Sequence, residues 1–137
     1  MRIGLTLVAV LLLVTPAWAA PRSEPDQVKA VLFTQARLLK QGRFRVMYET
    51  TYTANFRAHC PWGTYLKRQR FGRRYLGPGF TLRRVRARIL SATQALLAYR
   101  FVRANGQIAA EVTFRQRDLY VKIGERWYDE YDHVSDC

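Results

Sequence analysis

Two cysteines, each with a histidine nearby, are the residues best suited to crosslinking or metal binding. Cys60 directly follows His59, and Cys137 lies four residues after His133. Such a His/Cys quartet is able to hold zinc, but the adjacent side chains of His59 and Cys60 point in different directions, and no Cys-x-x-Cys pair is present. In an oxidising compartment a disulfide also competes for both thiols. The sequence therefore predicts a disulfide between Cys60 and Cys137, and no metal site.

Basic side chains are the second feature with recognisable chemistry. They form two groups: Lys67, Arg68, Arg70, Arg73 and Arg74, then Arg84, Arg86 and Arg88 at alternate positions. Alternate residues of a strand stand about 7 Å apart, near the spacing of successive phosphates along one nucleic-acid strand. Aromatic residues nearby are able to stack on bases or sugars: Tyr65, Phe71 and Tyr75. These groups are the candidate anion-binding residues.

The alternative is a solvated basic face that pairs with the acidic C-terminal stretch: Asp129, Glu130, Asp132 and Asp136. Those acids are too few to neutralise a formal net charge of +13. The remaining charge attracts nucleic acid, acidic polysaccharide and anionic membrane surfaces through a field that salt weakens. Most of the basic residues are arginines, however, and a GC-rich genome produces that bias without selection for anion binding.

The N-terminus has the three regions of a secretory signal peptide. Arg2 precedes an apolar run over residues 3–14, and Ala17-Trp18-Ala19 supplies the small residues of a cleavage site. The run is shorter than the roughly 20 residues that span a bilayer, and charged residues interrupt every later stretch. We therefore predict a signal peptide over 1–19, a single domain over 20–137 without a transmembrane segment, and a periplasmic or secreted product.

The elements that position these residues begin with a helix. Ser23 is a suitable N-cap, Pro25 suits the first turn, and Gly42 suits the left-handed position after a helix that ends near Lys40. One stripe carries the apolar residues and also Gln35, which is either hydrogen-bonded core or the wall of a cavity. From 43 to 70 a broken helical pattern predicts two short helices that Pro61 interrupts, and the glycines of 71–80 predict a loop.

After residue 80 the pattern changes to the period of two that strands have. Strands are predicted over 81–90 and 94–103, with a hairpin turn at Asn105-Gly106. A long strand over 107–123 follows, bulged near Gln116, and Gly124-Glu125 turns the chain into a closing strand. The fold class is therefore α+β: a long N-terminal helix and two short helices packed on a curved antiparallel sheet of about four strands.

This order of elements resembles the NTF2-like superfamily, the cystatin-like α+β cone, over nearly all of 20–137. The resemblance lies in the long first helix, Gly42-Arg43-Phe44 before the second helix, Tyr48 and Tyr52 on it, and the ending Gly124-Glu125-Arg126-Trp127-Tyr128. Enzymes of this superfamily use the cavity between sheet and helices, with Asp, His or Tyr as acid, base or oxyanion donor. The resemblance implies these pocket candidates: Gln35, Tyr48, Tyr52, His59, Tyr65 and Asp129.

None of these candidates lies in a catalytic motif, and no nucleotide- or cofactor-binding motif is present. Tyrosines at such positions also serve as amphipathic core, and Asp129 also suits an arginine partner on a strand face. We therefore predict no cofactor and name no catalytic residue.

The sequence favours an exported binding or interaction module of the cell envelope. Its ligand is either a small apolar molecule in the cone or an anionic polymer or lipid head group on the basic residues. A small pocket enzyme of lyase or isomerase type and a nucleic-acid-binding protein remain alternatives, and the sheet also offers a homodimer surface. A polar cluster in a closed cavity would favour the enzyme, whereas a cone filled with aromatic side chains would favour the module.

Overall fold

The first helix lies where its capping signals predict. The computed structural model describes residues 22–132 and 137, so the predicted signal peptide and His133 lie outside the described residues. The backbone N–H of Asp26 donates to Oγ of Ser23 at 3.4 Å, α1 spans Glu24–Lys40, and Gly42 follows with φ of 67°. The predicted first helix is confirmed.

Three further helices follow where two were predicted: α2 (Phe44–Thr51), α3 (Ala54–His59) and α4 (Trp62–Leu76). The predicted loop over 71–80 is wrong in its first half, because α4 continues through Gly72. A single glycine inside a helix costs only about 1 kcal/mol relative to alanine, which tertiary contacts offset. The helix ends instead at Leu76, and Gly77 and Gly79 follow it. Their φ angles of 76° and 74° are those that glycine adopts without strain.

The antiparallel sheet has five described strands where about four were predicted. They are β1 (Thr81–Ser91), β2 (Gln94–Val102), β3 (Ile108–Val112), β4 (Asp118–Ile123) and β5 (Arg126–Asp129). Their order is β1-β2-β4-β5, and β3 pairs with the other end of β2. The predicted long strand is interrupted by a 3-10 turn, Phe114–Gln116, at the position where a bulge was expected. Both predicted turns are present, with Gly106 and Gly124 at positive φ. The α+β class is confirmed.

The helices cover one face of the sheet. Val28 and Leu32 of α1 pack against Ala95 and Leu97 of β2 and against Trp127 of β5. Each such buried side chain contributes about 1.5–3 kcal/mol. Toward its C-terminal end, α1 packs instead with α2 and α4 in a second cluster of buried residues. A cavity lies between these two clusters.

Two tethers hold the ends of the fold. At the start of α1, Glu24 accepts hydrogen bonds from Nζ of Lys122 at 2.7 Å and from Nε1 of Trp127 at 2.8 Å. At the other end a disulfide joins Cys60 to Cys137, with their Cα atoms 5.5 Å apart, so the predicted pairing is confirmed. None of the described helices combines the length and apolar composition that a membrane span requires.

Candidate functional site

A cavity of about 760 Å³ lies between the concave face of the sheet and helices α1, α2 and α4. Its walls are largely apolar, and polar side chains from α1, the end of α2 and the sheet form the part that we name the floor: Gln35, Tyr52, Tyr99 and Asp129. Exposed residues of α4 line its open side: Lys67, Arg68, Phe71 and Arg74. The cavity therefore has an apolar body, a polar floor and a basic mouth.

The pairing of strands brings two acids together at the floor. Tyr120 of β4 stands directly opposite Asp129 of β5. Because side chains alternate along a strand, Asp118 shares the face of Tyr120 and is a diagonal neighbour of Asp129. On β2, Leu97 stands opposite Asp118, and Tyr99 lies two residues farther along the same face. All four polar side chains therefore point to the concave side of the sheet.

Hydrogen-bonding side chains surround the two acids. The hydroxyl of Tyr99 donates to Oδ2 of Asp118 at 2.8 Å. The hydroxyl of Tyr120 lies 3.4 Å from the same oxygen and 3.2 Å from Oε1 of Gln35, so its single proton serves one of them at a time. Nε2 of Gln35 in turn donates to Oδ2 of Asp129 at 3.0 Å.

The sequence left open whether Gln35 is hydrogen-bonded core or the wall of a cavity. In the structure its side chain is both. Its Nε2 also donates to Oγ1 of Thr51 at 3.2 Å, and the Thr51 hydroxyl donates to the carbonyl of Met47 at 2.6 Å. The amide is therefore held between α2 and the sheet. This orientation fixes which of its atoms meets Asp129.

Within the described residues, neither Asp118 nor Asp129 forms a salt bridge with a cation. Salt bridges among the described residues use other acids: Glu24, Glu49, Glu111 and Asp132. Burial raises the pKa of Asp118 to about 6, against the hydrogen bonds from Tyr99 and Tyr120. Burial and then the charge of Asp118 raise the pKa of Asp129 well above its ordinary value, against the hydrogen bond from Gln35. The carboxyl group of Asp129 therefore keeps its proton to a higher pH than an exposed aspartate does, and in that form it is able to donate a hydrogen bond or a proton.

A second, smaller cavity of about 200 Å³ reaches the same acids from the side of the disulfide. Asp118 and Asp129 line it together with Tyr65 and the Cys60–Cys137 bridge. The Tyr65 hydroxyl is buried and has no hydrogen-bond partner within the described part of the chain. Burial also raises the pKa of Tyr65, so the hydroxyl keeps its proton as a donor. Asp129 thus borders both cavities, whereas Asp118 lines the smaller one.

The structure brings some of the predicted pocket residues together and places others elsewhere. Tyr52 and Asp129 line both cavities, Tyr65 lines the smaller one, and no arginine pairs with Asp129 among the described residues. Tyr48 is buried, but its hydroxyl donates to the carbonyl of Cys60 at 2.8 Å and has a structural role.

His59 is exposed and lies outside both cavities. Its ring stacks on Tyr131 with centroids 4.1 Å apart, and its Nδ1 is 2.9 Å from the carbonyl oxygen of Asn55. Because α3 ends at His59 on the outer side of the helical layer, this histidine does not reach the acids.

Three residues of the site were missed from the sequence: Tyr99, Asp118 and Tyr120. The alternation of inward and outward side chains along a strand would have identified them. Asp118 and Tyr120 are two residues apart on β4, as Leu97 and Tyr99 are on β2. The 3-10 turn before β4 changes which residues of the following strand face inward. The inward-facing residues of β4 were therefore not predictable from the strand before the turn.

The two basic groups differ in how they are held. On β1 the guanidinium groups of Arg86 and Arg88 lie over the ring of Phe114, at 5.3 and 4.2 Å from its centroid. A bulge between Arg83 and Arg86 places Arg84 at φ of 51°. The even spacing expected for these arginines is therefore interrupted. The other group lies along α4, where Arg73 donates to the carbonyl of Lys40 at 2.9 Å.

A scan of the chain against protein-family models found no match, and a search of curated proteins found no significant match. The function is therefore argued from the chemistry of the cavities and of the surface.

Proposed function

We propose that this chain is an exported, NTF2-like domain whose large cavity binds a small, largely apolar molecule. The observation that carries the proposal is the cavity of about 760 Å³, with apolar walls and a polar floor. Small-molecule sites generally have this composition, in which a few polar groups orient an apolar ligand. Helices packed over a curved sheet support the NTF2-like assignment, and the disulfide with the leader-like N-terminal sequence supports export.

The lining of the cavity describes the ligand. Its apolar body packs against Leu32, Leu39 and Phe101, and removing such surface from water contributes about 25 cal/mol per Å². Its polar group lies at the floor, next to the Tyr52 hydroxyl, which is a donor, and to the Asp129 carboxyl, whose raised pKa favours the form that donates. A ligand with an oxygen acceptor at one end of an apolar body satisfies both conditions.

Replacing Gly72 by leucine is expected to block this site. Gly72 lies in α4 on the cavity wall, and no other atom stands within 4 Å of an added Cβ. The protein is purified from the periplasm or the medium and its mass is measured by native mass spectrometry. The mass identifies the N-terminal residue and any bound ligand together. We expect a mass that begins at Ala20 and carries a ligand adduct. The adduct falls more than about tenfold in G72L, because ligand and leucine compete for the same space.

Gly63 supplies the matched control. It also lies in α4 with open space at an added Cβ, but it does not line the cavity. Both variants exchange glycine for a strong helix former, so both keep the helix. If no ligand co-purifies, titration with the uncharged apolar fluorophore N-phenyl-1-naphthylamine gives the same comparison. Equal binding by wild type, G63L and G72L would contradict the cavity as the site, and a full-length mass would contradict export.

Acid–base catalysis of lyase or isomerase type is the second candidate function. The uncompensated acids favour it, because a polar cluster inside a cavity is the arrangement that a pocket enzyme needs. Asp129 faces the ligand and exchanges the proton, while the charge of Asp118 helps to raise its pKa. A general acid or base works best when its pKa lies near the operating pH.

The Asp129→Asn variant separates the two candidates. If the domain is an enzyme of this type, the wild-type protein in heavy water exchanges a C–H hydrogen of the cavity ligand for deuterium, as measured by NMR. The variant should lose this exchange by about 100-fold or more, since positioned general acids and bases contribute at least that factor. Asn retains the size of the side chain, so the ligand remains bound. Binding by the wild-type protein without any exchange would favour the non-catalytic module.

A further inference from the structure

One face of α4 combines cations with an exposed aromatic ring. Lys67, Arg70, Phe71 and Arg74 recur at i, i+3, i+4 and i+7, which places them along a single stripe of the helix. Phe71 is 63% exposed, and α4 contains no acidic residue. An exposed aromatic ring beside a row of cations with no acid among them suits a partner that is both anionic and partly apolar.

The cations of this stripe are free to meet a partner. Lys67, Arg70 and Arg74 make no hydrogen bond or ion pair with any residue in 22–132 or with Cys137. Next to the stripe, the ring of Tyr75 stacks on Phe71 with centroids 6.1 Å apart and planes 13° from parallel. Tyr75 is itself held, because its hydroxyl donates to the carbonyl of Ala109 at 3.1 Å. The hydrogen bond of Tyr75 therefore fixes the position of the exposed aromatic pair.

We infer that this α4 face, formed by Lys67, Arg70, Phe71, Arg74 and Tyr75, docks the domain on an anionic lipid surface. Lysine and arginine near such a surface are attracted to the head groups, and aromatic rings between them enter the interfacial region. The arginines of β1 do not offer this combination, since Arg86 and Arg88 already lie over Phe114. Charge complementarity and the exposed ring together favour a membrane over a rigid polyanion.

Docking through this face has a consequence for the cavity, and this step rests on the proposed function. Lys67, Phe71 and Arg74 belong to the α4 face and also line the large cavity. A domain docked in this way holds the opening of its cavity against the bilayer. An apolar ligand then passes between membrane and cavity without crossing water.

The test compares binding to phosphatidylglycerol-containing vesicles and to pure phosphatidylcholine vesicles by co-sedimentation at low salt. The variant K67Q/F71S/R74Q removes two cations and the exposed ring, and its binding to anionic vesicles is expected to fall at least about 30-fold. The matched control is K29Q/F33S/R37Q, which removes the same residue types from the outer face of α1, where Phe33 is 50% exposed. The control should lose less than about threefold, because only general charge is reduced. Intact mass defines the N-terminus of each preparation, since a retained apolar leader binds lipid by itself.

Equal losses in the two variants would overturn the α4 face as the docking surface and leave net charge as the cause. Equal binding of wild type to both kinds of vesicle would overturn the anionic lipid partner. If an oligonucleotide binds more tightly than the vesicles and displaces them, nucleic acid replaces lipid as the partner. The G72L variant keeps the α4 face and blocks the cavity, so its vesicle binding should equal that of wild type. This result distinguishes failure of the docking surface from failure of the proposed ligand site.

Discussion

Serine in place of Cys60 and Cys137 is expected to lower the free energy of unfolding by about 4 kcal/mol. The disulfide closes a loop with a sequence separation of 77 residues, and a crosslink of that length lowers the entropy of the unfolded chain by the equivalent of about 4 kcal/mol at 25 °C. Small domains are stable by only about 5–15 kcal/mol, so the loss is a large part of the total. Equilibrium unfolding in urea, followed by tryptophan fluorescence, measures the difference between wild type and C60S/C137S.

The wild-type protein in excess reductant is the control, because it loses the crosslink without a change of sequence. It should unfold at the same urea concentration as the double variant. A double variant that unfolds together with the oxidised wild type would show that the bridge does not stabilise the fold. Hydrogen bonds next to Cys60, such as the one that Tyr48 donates to its carbonyl, do not depend on the thiol and remain in both proteins.

The Asp118→Asn variant is expected to be more stable than wild type by about 2–3 kcal/mol at mildly alkaline pH. Folding raises the pKa of Asp118 from the ordinary value near 4 to about 6, chiefly because of burial. Between those values the folded state binds more protons than the unfolded state, so the free energy of unfolding falls as pH rises from about 4 to about 6. Asparagine has no charge to bury and accepts the same hydrogen bond from Tyr99.

Urea unfolding at a series of pH values measures this effect. The wild-type protein should lose stability across the window from about pH 4 to about pH 6, and D118N should lose less of it there. Replacing Glu125, an exposed residue of the last turn, by glutamine changes the net charge by the same amount and controls for it. If D118N and wild type have parallel stability curves through this window, the carboxyl of Asp118 does not carry a buried charge.

Local sequence signals predicted those parts of the fold that local chemistry decides. Ser23 as a cap, Gly42 after the helix, and the turns at Asn105-Gly106 and Gly124-Glu125 each depend on a few adjacent residues. The end of α4 was misplaced because Gly72 resembles a breaker in sequence, whereas tertiary contacts keep it helical and the glycines at 77 and 79 end the helix. Such a competition between propensity and packing is not visible in a single sequence.

The candidate site depended on information that no local pattern contains. Gln35 was named because it is a polar residue on an apolar stripe, and Asp129 because the resemblance to the NTF2-like superfamily implies an acid in the cavity. Asp118 was missed because its role depends on the register between β4 and β5, which makes it a neighbour of Asp129 across the sheet. His59 has suitable chemistry, but the end of α3 carries it to the outside.

The floor of the cavity is completed late in synthesis, because its hydrogen bonds join the first helix to the last strands. Gln35 and Asp129 are 94 residues apart, and Glu24 and Trp127 are 103 apart. During synthesis α1 leaves the ribosome long before β4 and β5 exist, so its apolar stripe has no complete sheet to cover. A nascent chain that stops before Asp118 contains the helices but neither acid of the floor. Until the closing strands are synthesised, the chain exposes apolar surface that chaperones bind, and the cavity is completed only afterwards.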